Sequence, residues 1–128
     1  MSREVRVSNF YAILIGGFLV IQGSWGLIDP PPFEIFSTNI AHAVIHIVLG
    51  IVGLWMGIKG NSYKFNLFLG ILLLAVGVLW FIPGIQDLLI NLLNINRAVA
   101  YLNISIGVVS LFTAFALGSS RTTANREI

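Results

Sequence analysis

The chain has 128 residues, of which 57% are hydrophobic and only 9% charged. A soluble domain carries about 25% charged residues. A water-facing surface is therefore excluded, and the chain reads as an integral membrane protein of one compact unit. Cysteine is absent, so disulfides, thiol catalysis and cysteine-based metal sites are excluded too. The net charge of +2 arises from scattered basic residues and suggests no nucleic-acid partner.

The N-terminal "MSREVRV" is a short amphipathic lead-in to a long apolar run. No cleavable signal peptide is expected, because "LIDPPPFEIF" after that run lacks the small-residue cleavage pattern. About 20 apolar residues are needed to cross the hydrocarbon as a helix. Four runs meet this. The first is Phe10 to Ile28, ended by Asp29 and the prolines 30 to 32, which redirect the chain. The second is Asn39 to Ile58, ended by "KGNS". The third is Tyr63 to Ile82, ended by Pro83 and Gly84. The fourth is Ala98 to Leu117, followed by a polar tail. Between the last two, Ile85, Leu88, Leu89, Leu92 and Leu93 recur at helical spacing. They predict a short amphipathic helix lying in the membrane interface. Tyr11, Trp25, Trp55, Tyr63, Trp80 and Tyr101 fall near span ends, as interfacial aromatics do.

Arg3, Arg6, Lys59, Lys64, Arg121 and Arg126 all fall on one side of a four-span chain, and Arg97 alone on the other. Both termini are therefore expected in the cytoplasm.

Gly16 and Gly23 of the first span are matched by Gly70 and Gly77 of the third. Asn39, His46, Gly50 and Leu54 of the second are matched by Asn96, Asn103, Gly107 and Leu111 of the fourth. The expected fold is all-α: a membrane four-helix bundle built from two duplicated helical hairpins.

His42 and His46 are the only histidines. With Asn39, Gly50, Gly53 and Gly57 they form one face of the second span. The fourth span repeats such a face with Asn96, Asn103, Gly107 and Ser110. Small residues let membrane helices approach closely, and polar ones bond across the contact. Asn39, Gly50, Gly53, Gly57, Asn103 and Gly107 are therefore expected at helix contacts. The glycines of the second span should meet the first or fourth span. Asn66 and Gln22 are lone polar residues expected at helix contacts.

Three readings of the histidines stand. In the structural one, His46 is neutral, buried and bonded to Asn103 or to a backbone carbonyl of another helix, with His42 wetter and nearer the surface. In the second, His46 or His42 is an axial ligand to a chlorophyll-type pigment or haem. Residues four apart on one helix cannot bind both faces of one macrocycle, so a pigment is the easier variant. The third is a proton or metal pathway, which lacks acidic partners because no Asp or Glu lies within a span. No phosphate loop, HExxH or nucleophile elbow is present.

The pattern Asn39-x-x-His42-x-x-x-His46-x-x-x-Gly50-x-x-Gly53-Leu54 resembles the second helix of small bacterial four-span proteins grouped as domain of unknown function 4383. The resemblance runs from about Phe10 to Leu117. This chain has Ala43 where that helix carries Asn after the first histidine. The resemblance implies the four-span, duplicated architecture and brings no activity. The expected location is a bacterial inner, or thylakoid-type, membrane. The expected function is a non-enzymatic accessory or structural subunit of a larger membrane assembly, partnered by the lipid bilayer and by other subunits or itself. The alternative is a cofactor-binding or small transport protein using the His42/His46 face.

Overall fold

The computed structural model describes residues 3–27 and 39–117. The proline-rich connection and the polar tail, with the topological charges they carry, lie outside these residues. Every element among them is helical: α1 Arg3–Gly26, α2 Ile40–Lys59, α3 Tyr63–Leu79, α4 Ile85–Leu93 and α5 Arg97–Phe112. The last runs into one π-helical turn, Thr113–Leu117. Three segments are long and apolar enough to cross a membrane: Val5–Gly26, Ile40–Lys59 and Arg97–Leu117. They mark the chain as a membrane protein.

Two boundaries differ from the sequence expectation. The N-terminal lead-in is not a separate segment but the first turns of α1, since nothing between Arg3 and Phe10 breaks a helix. The third helix stops at Leu79, so its 17 residues reach only about 25 Å. Beyond it the backbone tightens into i→i+3 bonds, Phe81 N–H to the Val78 carbonyl and Ile82 N–H to that of Leu79. Gly84, at φ 91°, then turns the chain into α4.

Asparagine starts two of the helices. The Asn39 side chain accepts from the His42 N–H at 2.8 Å, and the Asn96 side chain accepts from the Val99 N–H at 2.9 Å. Both caps have extended backbone, the geometry in which a short oxygen-bearing side chain satisfies an orphan N–H of the first turn.

Packing is dominated by two antiparallel pairs, α1 with α2 and α3 with α5. Glycine makes both possible. A methyl group on Gly50 would lie 2.5 Å from the Gly16 carbonyl oxygen, and one on Gly16 would lie 2.7 Å from the Gly50 oxygen. These backbones touch. In the other pair, a methyl on Gly107 would lie 2.6 Å from the Leu74 nitrogen, and one on Gly77 would lie 2.7 Å from the Ala100 oxygen. Such approach replaces the missing hydrophobic drive between helices in lipid with van der Waals contact. Between the pairs lies a core of Ala12, Leu19, Phe65, Leu69 and Leu73, flanked by Leu49, Val52, Met56 and Ile106.

Outward faces are lined with large apolar side chains, among them Phe10, Leu14, Phe18 and Ile21 on α1 and Val48, Ile51 and Ile58 on α2. The aromatic residues near helix ends divide. Trp55 is exposed, with the Lys59 ammonium 5.0 Å from its ring, as an interfacial anchor would be. Trp80 instead turns inward, buried, and its indole N–H donates to the Ile95 carbonyl at 2.8 Å. It nucleates a second cluster with Ile95, Val99 and Ala100, against which Leu89 and Leu93 of α4 pack.

Candidate functional site

The helical step places His42 and His46 on one side of α2, and both are buried. Their Nε2 atoms lie 2.9 Å apart, with the ring planes nearly perpendicular. His46 is therefore partnered by His42, and not by Asn103 or by a backbone carbonyl of a neighbouring helix as the sequence suggested. The reason is reach: residues four apart on a helix are nearest neighbours, whereas α2 and α5 belong to different pairs. His42 is also not wetter than His46. It is equally enclosed, because α4 folds over that end of α2 and the Asn39 amide donates to the Leu92 carbonyl at 3.0 Å.

A bond between two Nε2 atoms holds one proton. Whichever ring donates it has a bare Nδ1 in its neutral form, and the accepting ring then carries its proton on Nδ1. The pair thus always presents one donor and one acceptor at its two ends. The His42 Nδ1 is buried, with the Leu93 backbone of α4 beside it and no well-aligned hydrogen bond among the described residues.

Beside the pair is a cavity of about 110 Å³, walled by His42 and His46 of α2, Leu72 and Val76 of α3, Leu93 of α4 and Asn103 of α5. The structure therefore does bring Asn103 to the histidines, across a gap. Asn103 is buried, and no hydrogen bond joins its carboxamide to another described residue. The ligation reading fits poorly here. Each Nε2 is turned to the other ring, and the cavity lacks the breadth of a tetrapyrrole. Among the described residues no three of His, Asp and Glu assemble as a metal-binding group.

The remaining predicted residues lie as follows. Gly50 and Gly57 meet α1, the latter at the Asn9 carbonyl and Ile13. Gly53 meets the first span through its backbone, whose carbonyl carbon would lie 3.1 Å from a methyl on Gly16, while the place of its own Cβ is filled by the Phe65 ring of α3 at 2.5 Å. It lies roughly 40–60° round the helix from Gly50 and Gly57, so its Cβ direction faces the core between the pairs. Gly107 meets α3. Asn39 both caps α2 and reaches across to α4 at the Leu92 carbonyl. Gln22 keeps a buried side-chain oxygen without a partner among the described residues.

Sequence reasoning missed a polar chain at the opposite end of the molecule. The Ser62 hydroxyl donates to Asn9 Oδ1 at 2.6 Å. Its single proton being used, Ser62 Oγ accepts from Ser8 at 2.9 Å. Ser8 Oγ accepts in turn from the Asn66 amide at 3.0 Å. All four residues are buried. The relay Asn66→Ser8→Ser62→Asn9 fastens α1 to the start of α3, and aligned bonds of this kind strengthen one another. Nearby, the Tyr11 and Ser110 hydroxyls lie 2.5 Å apart and join α1 to α5. The available signal was the spacing: Ser62, Asn66, Leu69, Leu73 and Gly77 share one face of a helix that is apolar all round beyond its first turn. Ser62→Ala should cost about 1–3 kcal/mol, since it removes the buried hydroxyl that bonds both Asn9 and Ser8. Ser105→Ala, which loses only an exposed bond to its own helix, should cost less than about 0.5 kcal/mol. Unfolding in mixed micelles of rising sodium dodecyl sulfate content would compare them.

No curated protein and no solved structure matches the chain. A family model described as domain of unknown function DUF4383 matches residues 31–116. That stretch holds the histidine pair, the cavity walls and helices α2 to α5, while α1 precedes it. The chain belongs to the DUF4383 family.

Proposed function

We propose that the chain is a four-span, non-enzymatic structural subunit of a membrane assembly, built from two copies of one helical hairpin and holding both ends in the cytoplasm. The observation that carries this reading is where its buried polar groups go. Ser8, Asn9, Ser62, Asn66, Tyr11 and Ser110 bond to one another across helices, and the histidines bond to each other. The serine, asparagine and tyrosine bonds fasten helices to one another, the histidine bond closes within α2, and large apolar side chains are left on the outward faces for lipid or neighbouring subunits.

The duplication draws support from contacts. The surroundings of Gly23, the Ala43 oxygen and the Ile47 nitrogen and side chain, recur around Gly77 as the Ala100 oxygen and the Ile104 nitrogen and side chain. Gly16 meets Leu54, and Gly70 meets Leu111. The caps Asn39 and Asn96 correspond in the same register. An α3 of 17 residues completes a fourth crossing when the turns through Ile82 are added to it.

Reporter fusions after residue 128 and beside Asp87 should locate in opposite compartments, the former in the cytoplasm. The same compartment for both would overturn the four-span topology. A chain tagged at its C-terminus and extracted mildly from its own membranes should migrate in a particle several times its own mass. Migration as an isolated monomer would overturn the subunit reading.

A further inference from the structure

We propose that the crevice between α2 and α3, beneath α4, holds one straight acyl chain of a membrane lipid. The inference uses the membrane placement above and does not depend on the protein being a subunit.

The first ground is where the polar atoms of the crevice point. Three polar side chains reach it, His42, His46 and Asn103, yet the surface it offers is almost wholly carbon. The histidine Nε2 atoms face each other at 2.9 Å. The His42 Nδ1 is sealed beside the Leu93 backbone. Rings bonded in this way turn their carbon edges to the space. Asn103 is buried at the inner wall, and the remaining walls, among them Leu49, Leu72, Leu73 and Val76, are aliphatic. A buried water needs about 2–4 polar partners, which this lining does not supply. No Lys or Arg lines the space, so a charged head would lie there uncompensated. The occupant that fits is hydrocarbon.

The second ground is size and depth. The space is about 110 Å³, smaller than the cavity of about 150 Å³ that takes benzene. A ring is therefore too large. A methylene fills about as much space as a water, roughly 30 Å³, so about four methylenes of a straight chain fit. On α2 the wall runs from His42 to Leu49, about 5 to 15 Å beyond the Asn39 cap by helical rise. That is the depth of acyl chains in one leaflet, whose hydrocarbon is about 15 Å thick.

The third ground is access. Ile45 lines the crevice and is exposed on the outward face of α2. Leu72 and Val76 face it from α3 and are half-buried. The mouth thus opens sideways and runs into the exposed surface at Val48 and Phe68, which lipid covers. Leu93 and Ile95 line the crevice and pack in the Trp80 cluster, closing the end beneath α4. A chain enters from the bilayer and from no other side. Within each helix pair the glycines bring backbones into contact. Between the pairs, at this level, the acyl chain supplies the packing that side chains leave out.

The test uses the full protein, one copy per lipid nanodisc. The probe is a phosphatidylcholine whose palmitoyl chain carries a diazirine at its middle. The control is a cholestane bearing the same diazirine, too broad for the crevice. After photolysis, labelled residues are read by peptide fragmentation. Both probes should label Ile71 and Val108, which are exposed on outward faces. Only the acyl probe should label Leu73 and Asn103, which are buried on the inner wall. Val76→Phe should lower labelling of these two about tenfold, the effect of displacing roughly two methylenes, and leave Ile71 unchanged. Ile45→Trp, at the exposed rim, closes the mouth without entering the core and should act alike, so it stands if Val76→Phe fails to fold. Leu73 and Asn103 unlabelled by the acyl probe would mean a closed or watery crevice. That result, equal labelling by the cholestane, or indifference to both variants would overturn the proposal. Failure of the membrane placement would show independently in the reporter fusions.

Discussion

Gly16→Ala will destabilise the protein while Gly17→Ala, one residue along, will not. The methyl group added at Gly16 would fall 2.7 Å from the Gly50 oxygen and 2.8 Å from the Leu54 nitrogen, both backbone atoms of α2. Neither can turn aside as a side-chain tip can, so the whole helix must withdraw, and the loss spreads along the contact. Overpacking typically costs about 1–3 kcal/mol, and backbone opposing backbone places this case at the upper end. A methyl at Gly17 meets nothing within 4 Å. It replaces a poor helix former by the best one, a gain of at most about 1 kcal/mol. Gly53→Leu lies between, because the Phe65 ring it meets can shift. It should still cost more than Val52→Leu. Detergent unfolding followed by helicity would check the order. Equal effects at 16 and 17 would mean that the α1–α2 contact does not form.

The histidine pair should behave as a unit in a double-mutant cycle. His46→Leu removes the partner of His42 Nε2 and leaves that buried nitrogen unbonded, at a cost of about 1–3 kcal/mol. His42→Leu should cost a similar amount for the same reason. The double variant should lose clearly less than the sum, since replacing both members of a bond by apolar groups of like size approaches neutrality. His46→Asn should be tolerated, because Asn103 occupies the corresponding place on α5 and a carboxamide can still bond His42. Additive losses would show that the two rings act separately and that the Nε2 contact contributes nothing.

Much of this was legible in the sequence because lipid simplifies the problem. Where water is absent the backbone must bond to itself, so apolar runs become helices and their ends follow the polar breaks. The glycine faces were legible for a similar reason, since a helix that bears Gly16 and Gly23 invites close approach. The choice of neighbour was not. Gly53 keeps its backbone against Gly16 but turns its Cβ direction to Phe65, because a step of three along α2 carries it to the edge of the contact made by Gly50. The partner of His46 was misassigned because a repeat pattern gives depth but no lateral distance: Asn103 stands at the expected level across a cavity. Ser8, Asn9 and Ser62 were passed over because each looked like a residue near a helix end, where short polar side chains are ordinary. Their chain of bonds exists only once α1 and α3 are side by side.

The unequal joining of the two pairs has a mechanical consequence. Backbone contacts at Gly16, Gly50, Gly77 and Gly107 make each pair stiff. The relay from Asn66 to Asn9 binds one pair to the other at a single end, near Lys59 and Lys64. That end is a pivot, and each pair is a rigid lever about 20 Å long from there to the level of His46. A rotation of roughly 5° would displace the far tips by about 2 Å, on the order of one helix rise. The exposed Asn39–Leu92 bond is the latch across those tips. Any change in the width of the gap beside His42 would therefore fall on the core between the pairs and on the α4 latch, with little disturbance within either lever.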